Sequence, residues 1–248
     1  MLRTLLFATT FVDSPNKARL LDYWLSIGFG LNSSCDLLLV DSASPHPLFV
    51  SPEHSASFQK VGVTSSSPVA DLRGRYTLAV FPDNIGHAFK DGADGWGRAM
   101  MCGLQTAVAK GYDYVVHVEG DLLFRLDVAS IVASMHAHNI GALSTIEPVN
   151  FFLETGILFF STKFVDRSNL IGRYNWRDLG STRFMEKKLE RLLGEDLFLK
   201  RWIGTRNRNG ALTINNIGKI QPVWITQSKD PRTYDEFMKL TGLLSLPA

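Results

Sequence analysis

The sequence has 248 residues, 45% of them hydrophobic and 20% charged, with a formal net charge of +2. That is enough apolar material for a well-buried core, in one large α/β domain or two small ones. The near-neutral balance gives no sign of a nucleic-acid binder or a strongly acidic partner, and no apolar stretch is long enough to span a bilayer.

Taken in chain order, Leu5 to Val12 is a short apolar run closed by the turn signal Asp13-Ser14-Pro15-Asn16. The opening residues carry a charge and an apolar stretch, as a signal peptide does. The stretch is short and has no convincing small-residue cleavage site, so a first buried strand explains it better. Leu20, Leu21, Trp24, Leu25 and Ile27 then recur at helical spacing before Gly28 and Gly30. Asp36 to Val40 reads as a second buried strand. The Ser/Pro/His-rich stretch from Ser42 to Pro68 reads as loop with room for one short helix. Tyr76 to Phe81 is a third strand, followed by Pro82-Asp83-Asn84-Ile85-Gly86. A glycine-rich connection from Asp91 to Gly97 leads into a helix from about Arg98 to Lys110. Tyr114 to Val118 is a fourth strand that runs directly into Glu119-Gly120-Asp121.

Further on, Val128 to His138 has helical character, and Gly141 to Thr145 and Ile157 to Phe160 read as strands. Glu186 to Leu193 is expected to be a helix ending at Gly194, and Glu195-Asp196 to open another through Trp202. A turn at Asn207 to Gly210 and β-like pieces at Leu212 to Ile214 and Val223 to Ile225 complete the chain. Strands alternating with helices imply a mostly parallel sheet covered on both faces. No linker divides the chain, so residues 1–248 are read as one domain, with a first half to about residue 125 and a second from about 126. Cys35 and Cys102 show neither metal nor redox spacing and read as core residues, which fits a reducing, cytoplasmic compartment. Many of the 26 basic residues crowd the segment 167–208. That segment is either a solvated helix face or a surface for an anionic substrate or for peripheral membrane contact.

In open α/β sheets, ligands bind beyond the carboxyl ends of the strands. Those ends carry Thr9 and Thr10, Asp41, Asn84, and Glu119-Gly120-Asp121, all expected on one rim. Glu119 and Asp121 offer two hard oxygen donors suited to Mg²⁺ or Mn²⁺, which share their shell with phosphate and water. Gly120 between them lets backbone and ligand come close. The plainer reading is that strand-end acids cap the next helix or serve a turn. Asp41 likewise is either a ligand acceptor or an Asx-turn residue before Ser42.

The ordered succession of Asp36 to Ser44, Phe81 to Gly86, Arg98 to Leu104, Tyr114 to Asp121, and Gly194-Glu195-Asp196-Leu197-Phe198-Leu199-Lys200-Arg201 resembles glycosyltransferase family 2. The match covers roughly residues 3 to 205. The resemblance implies a GT-A fold with a Rossmann-like nucleotide-binding half and an acceptor-binding half. It implies metal-dependent, inverting transfer of one sugar from a nucleotide-sugar, a UDP-sugar by default, to a hydroxyl of a glycan, glycolipid or other acceptor, as in polysaccharide biosynthesis. By it, Asp121 binds the metal and Glu119 contacts the nucleotide or a metal-bound water. Thr9, Asn84 and Gly120 belong to the nucleotide rim, and Asp41 contacts the nucleoside. Arg98 or Lys90 adds a positive contact to the diphosphate, where the plainer reading of Arg98 is a helix-start surface arginine. Asp196, with Glu195 beside it, supplies the general base, where the plainer reading is a favourable helix N-terminus. The stretch Arg167 to Arg183, with Tyr174 and Trp176, is expected as a lid or acceptor site.

Two departures from the family stand out. Its first Asp-x-Asp acid is Glu119 here. Its Gln-x-x-Arg-Trp motif is absent, because Lys200-Arg201-Trp202 has no glutamine at the required place, so single transfer is expected rather than polymerisation. Two rival readings are a non-catalytic nucleotide- or sugar-binding protein on the same scaffold and a sugar nucleotidyltransferase. The latter is expected to carry a glycine-rich basic loop where this chain has Thr9-Thr10-Phe11-Val12-Asp13.

Overall fold

The structure is a computed structural model that describes residues 2–30, 32–64, 67–70, 72, 74–87, 93–125, 127–146, 153–176, 185–193, 202–205 and 224–226. Its centre is an eight-stranded sheet. Apolar runs supply β1 (Thr4–Thr10), β2 (Asp36–Asp41), β4 (Tyr76–Val80) and β5 (Tyr114–Val118), with β3 (Gln59–Gly62) at the edge. β7 (Ala142–Ile146), β8 (Leu153–Ser161) and β9 (Trp202–Thr205) extend the sheet on the other side. The spatial order is β3-β4-β2-β1-β5-β8-β7-β9. β8 alone runs antiparallel to its neighbours β5 and β7, so the mostly parallel α/β architecture expected from the sequence is what the chain adopts. A small second sheet pairs β6 (Leu123–Arg125) with β10 (Trp224–Thr226).

The alternation of side chains along each strand explains why the runs are apolar throughout. In β1, Leu6 and Ala8 join one buried cluster and Leu5 and Phe7 the other. The first cluster takes in Trp24 of α1 (Pro15–Gly30) and Val132 and Met135 of α4 (Val128–Ala137). The second takes in Met100 and Leu104 of α3 (Ala93–Ala109), Val165 of α5 (Thr162–Arg167), Leu170 of α6 (Leu170–Arg173) and Leu189 of α7 (Met185–Leu193). Asp127 caps α4 by accepting from the Ser130 amide at 3.0 Å. Among the described residues, no helix is long and apolar enough to cross a membrane.

Several elements differ from expectation. The Ser42–Pro68 stretch holds the short helix α2 (Pro52–Ser57) and also β3, which among the described residues pairs with β4 alone at the edge of the sheet. Gln-Lys-Val-Gly has one apolar residue, because an edge strand buries little. α3 begins at Ala93, one turn before Arg98, through Gly95 and Gly97. Trp202, expected at the end of a helix, opens β9. Tyr174, expected in a lid with a face free for a sugar, is 4% exposed and sits in the second core cluster, with Lys188 4.8 Å above its ring. The helix opened by Glu195-Asp196, the turn at 207–210 and the β-like piece at 212–214 lie outside the described residues.

Candidate functional site

The strand register brings the predicted rim together. Thr10 lies opposite Asp41, and Asp41 opposite Val80, so β1, β2 and β4 end level. His117 of β5 pairs with Phe7 of β1, which carries Glu119-Gly120-Asp121 up beside Thr9 and Thr10. Beyond these ends lies a cleft of about 420 Å³. Thr9, Thr10, Phe11, Val12 and Ser42 line one side, with Lys17 from α1. Asn84, Gly86, Gly95 and Trp96 line another, and Glu119, Gly120 and Asp121 a third.

Gly120 is the pivot of this arrangement. Its amide donates to the Thr9 carbonyl at 3.1 Å, and a Cβ there would lie 3.1 Å from that oxygen and 3.2 Å from Thr10 Cβ. A side chain there would force the Thr9–Thr10 backbone to give by a few tenths of an ångström, so glycine lets β5 leave the sheet pressed against β1. Glu119, on one flank of it, is further held from β8. Its amide donates to the Gly156 carbonyl at 3.0 Å, and the Thr155 hydroxyl donates to its Oε1 at 3.1 Å.

The opposite wall is made where α3 begins. A Cβ on Gly95 would meet the Gly86 amide nitrogen at 2.9 Å and Asn84 Oδ1 at 3.5 Å. The Asn-Ile-Gly turn therefore packs directly on the first turns of the helix. Trp96 stands edge-on to His117, with ring centroids 5.5 Å apart. Its indole nitrogen has no hydrogen-bond partner among the described residues.

Two predicted residues belong to the frame rather than to the lining. Asp41 is 2% exposed. One carboxylate oxygen accepts from the Ser44 amide at 3.1 Å and the other from the Ser44 hydroxyl. Ser44 Oγ in turn accepts from the Val12 amide at 2.7 Å, so Asp41 ties the turn after β2 to the loop after β1. Burial pushes the Asp41 carboxyl above the usual range, opposed by the Ser44 hydrogen bonds. Arg98 is 3% exposed. It donates to Asp83 Oδ1 at 2.7 Å and to the Asp83 carbonyl, and its guanidinium lies 4.0 Å from the Phe81 ring centre. It braces the turn that presents Asn84.

Sequence reasoning did not single out Lys17, Trp96 or His117. Lys17 follows the Asp13-Ser14-Pro15-Asn16 turn directly and donates to Asp13 at 2.9 Å, a bond that holds the Asp13 carboxyl below its usual range. The signal for it was position, in the first turn of the helix after β1. His117 is wholly buried. Its Nε2 lies 3.1 Å from Thr9 Oγ1 and its Nδ1 3.2 Å from the Thr155 carbonyl oxygen. Lys90, Glu195 and Asp196 lie outside the described residues.

Glu119 and Asp121 form a hard-oxygen donor pair at the cleft. No group of three or more His, Cys, Asp or Glu side chains able to hold a metal occurs among the described residues. Of the basic segment, Arg167, Arg173 and Lys188 donate to backbone carbonyls of Lys163, Ser168 and Asn175.

No protein-family model matches the sequence, and no curated protein matches it. Among solved structures, the chain is similar to the galactosyltransferase LgtC in complex with donor and acceptor sugar analogs. That likeness has 12% identity and a TM-score of 0.47, and covers 99% of this chain and 97% of that one. It is also similar to the mannosyltransferase PcManGT from Pyrobaculum calidifontis in complex with GDP-Man and Mn²⁺. There the identity is 16% and the TM-score 0.40, over 66% of this chain and 46% of that one. A third is a protein from Bacillus anthracis described as a glucose-1-phosphate thymidylyltransferase, at 10% identity and a TM-score of 0.45, covering 97% and 95% of the two chains.

Proposed function

We propose that this chain is a GT-A type glycosyltransferase that moves one sugar from a nucleotide-sugar, a UDP-sugar by default, to an acceptor hydroxyl with inversion. The observation that carries the reading is the cleft at the carboxyl ends of β1, β2, β4 and β5, lined together by Thr9, Asn84, Glu119, Gly120 and Asp121. A crevice at that edge of a mostly parallel sheet is where nucleotides bind in open α/β folds.

Glu119 and Asp121 fit a divalent cation of the Mg²⁺ or Mn²⁺ type. Two carboxylates are too few to enclose such an ion, and that suits a metal that completes its shell with phosphate oxygens and water. When bound, the cation neutralises charge on a departing diphosphate. The remaining roles fall to the chain itself. Among the described residues Lys17, rather than the buried Arg98, is the cation that lines the cleft, where it would face a diphosphate. The first turn of α3 offers amide groups to an anion from the opposite wall. Thr9, Thr10 and Ser42 give hydroxyls to the nucleoside, and Trp96 an aromatic face. Asp41 holds the turn behind Ser42 and Val12. Asp196, with Glu195 beside it, takes the acceptor hydroxyl's proton, a contribution of about 10²–10⁴-fold.

Thermal-shift binding of UDP, GDP, dTDP and CMP, each with and without Mn²⁺ or Mg²⁺, tests the reading. A ligand confined to the folded state stabilises it by about 2.7 kcal/mol at a hundredfold excess over Kd. A metal-dependent shift with one nucleotide is expected. No shift with any of them, in folded protein, sinks the proposal in favour of an unrelated binding module. Asp196→Asn should abolish transfer yet leave the nucleotide shift intact, and full activity in that variant rejects Asp196 as the base.

A further inference from the structure

His117 is the one polar side chain in the apolar stretch Val115–Val118, wholly buried behind two residues that line the cleft, Thr9 and Trp96. Phe7 and Trp96 fence its ring, with centroids 5.0 Å and 5.5 Å away. Among the groups it touches, two on opposite sides of the ring have unequal hydrogen-bonding options. The Thr155 carbonyl can only accept, so the ring hydrogen belongs on Nδ1. In the neutral ring Nε2 is then a bare acceptor, and the Thr9 hydroxyl 3.1 Å away donates to it. A hydroxyl has one hydrogen. With that hydrogen committed downward to His117, Thr9 has only lone pairs to offer the cleft that it lines.

The opposite tautomer would set a bare Nδ1 against the carbonyl oxygen, two acceptors face to face in a buried place, which costs the desolvation of both. The same residue, Thr155, uses its hydroxyl to hold Glu119. One buried ring thus connects the β1 wall of the cleft to the β8 residue that steadies its acidic wall.

We propose that His117 is a positioning residue that fixes Thr9 as a hydrogen-bond acceptor, so that the cleft selects a nucleotide presenting an N–H or O–H donor to Thr9. The selection step rests on the nucleotide reading given above; the direction of the Thr9 hydroxyl does not.

Long-range ¹H–¹⁵N correlation of the histidine rings in the full chain tests the direction first. The expected signature for His117 is a protonated Nδ1 and a bare Nε2, and Thr9→Val should move the Nε2 resonance. A hydrogen on Nε2, or a resonance indifferent to Thr9→Val, overturns the proposal. Binding with Mn²⁺ then compares UDP with N3-methyl-UDP and 2′-deoxy-UDP, each lacking one donor. The wild type should bind one analogue about three- to tenfold more weakly than UDP. Thr9→Val, which removes the acceptor, should erase that preference, and His117→Met, which frees the Thr9 hydrogen to turn into the cleft, should weaken it. His117→Gln, whose side-chain carbonyl can accept from Thr9, should restore part of it.

A loss of melting temperature with the preference intact is what a merely structural histidine gives, and it overturns the proposal. So does a wild type that binds all three nucleotides alike. If His117→Met does not fold, Thr9→Val and the wild-type spectrum still decide. If no nucleotide binds the wild type, the nucleotide reading and the selection step fall together, while the spectrum separately decides the hydroxyl direction.

Discussion

The ends of β2 and β5 look alike in sequence: an apolar run that stops at a carboxylate. In the folded chain they behave oppositely. At the end of β5, Glu119 and Asp121 line the cleft. At the end of β2, Asp41 is buried and both its oxygens accept from Ser44. The difference lies in the neighbours. Asp41 is followed three residues on by a serine that can bond back to it, the local arrangement that turns an Asp into turn architecture. Glu119 and Asp121 are followed by nothing of the kind, and Gly120 between them is pressed on the Thr9 backbone. A strand-end acid with both oxygens taken up by its own turn is withdrawn into the frame, whereas Glu119, held at Oε1 by Thr155 from β8, still lines the cleft.

The largest effect that sharpens this contrast is expected at β5. Asp121→Asn should lower transfer by a hundredfold or more, on the order expected when charge stabilisation of a leaving group is lost, and should abolish the metal dependence of nucleotide binding. Initial rates across a Mn²⁺ titration measure both, and a variant with unchanged metal dependence removes Asp121 from the proposed site. A smaller effect is expected from Gly120→Ala. The new methyl would lie 3.1 Å from the Thr9 oxygen and 3.3 Å from Thr10 Oγ1, so β5 must shift from β1. The cost should be about 1–3 kcal/mol in chemical denaturation, with weaker nucleotide binding. A variant as stable as the wild type would mean that the rim has slack where none is drawn.

Much of this molecule could be read from the sequence, and the parts that could not share a cause. The runs Leu5–Ala8, Leu37–Val40 and Val115–Val118 announce strands because both faces of a central parallel strand are buried, and periodicity alone finds them. β3 escapes because an edge strand has little to bury. The rim residues Thr9, Asn84, Glu119, Gly120 and Asp121 are legible from one rule, that ligands meet the carboxyl ends of strands. The directions in which Asp41 and Arg98 point are not legible from that rule, since each is set by a partner, Ser44 or Asp83, whose claim appears only in three dimensions. His117 is the extreme case. A lone histidine in an apolar strand carries no sequence signal, and its partners come from strands 108 and 38 positions away.

The smallest expected effect breaks the comparison most cleanly if it fails. Burial holds the Asp41 carboxyl above its ordinary range, so the folded chain binds that proton more tightly than the unfolded one. Stability contributed by the protonated form is lost as pH rises past the unfolded value and through the raised folded value. Once ionised, the carboxylate carries a desolvation cost that the Ser44 hydrogen bonds offset only in part. Asp41→Asn removes that charge. The amide oxygen can still accept from the Ser44 amide, and Ser44 Oγ can accept from the new NH₂ group while keeping its bond from Val12. Stability at neutral pH should therefore hold or rise, by no more than about 1 kcal/mol. The gap from the wild type should narrow on acidification as the wild-type carboxyl takes up its proton. If Asp41 serves only the turn, the nucleotide Kd should stay within about twofold. A loss of about tenfold or more, with stability unchanged, would mean that Asp41 reaches a ligand despite Ser44. The two strand ends would then be alike after all.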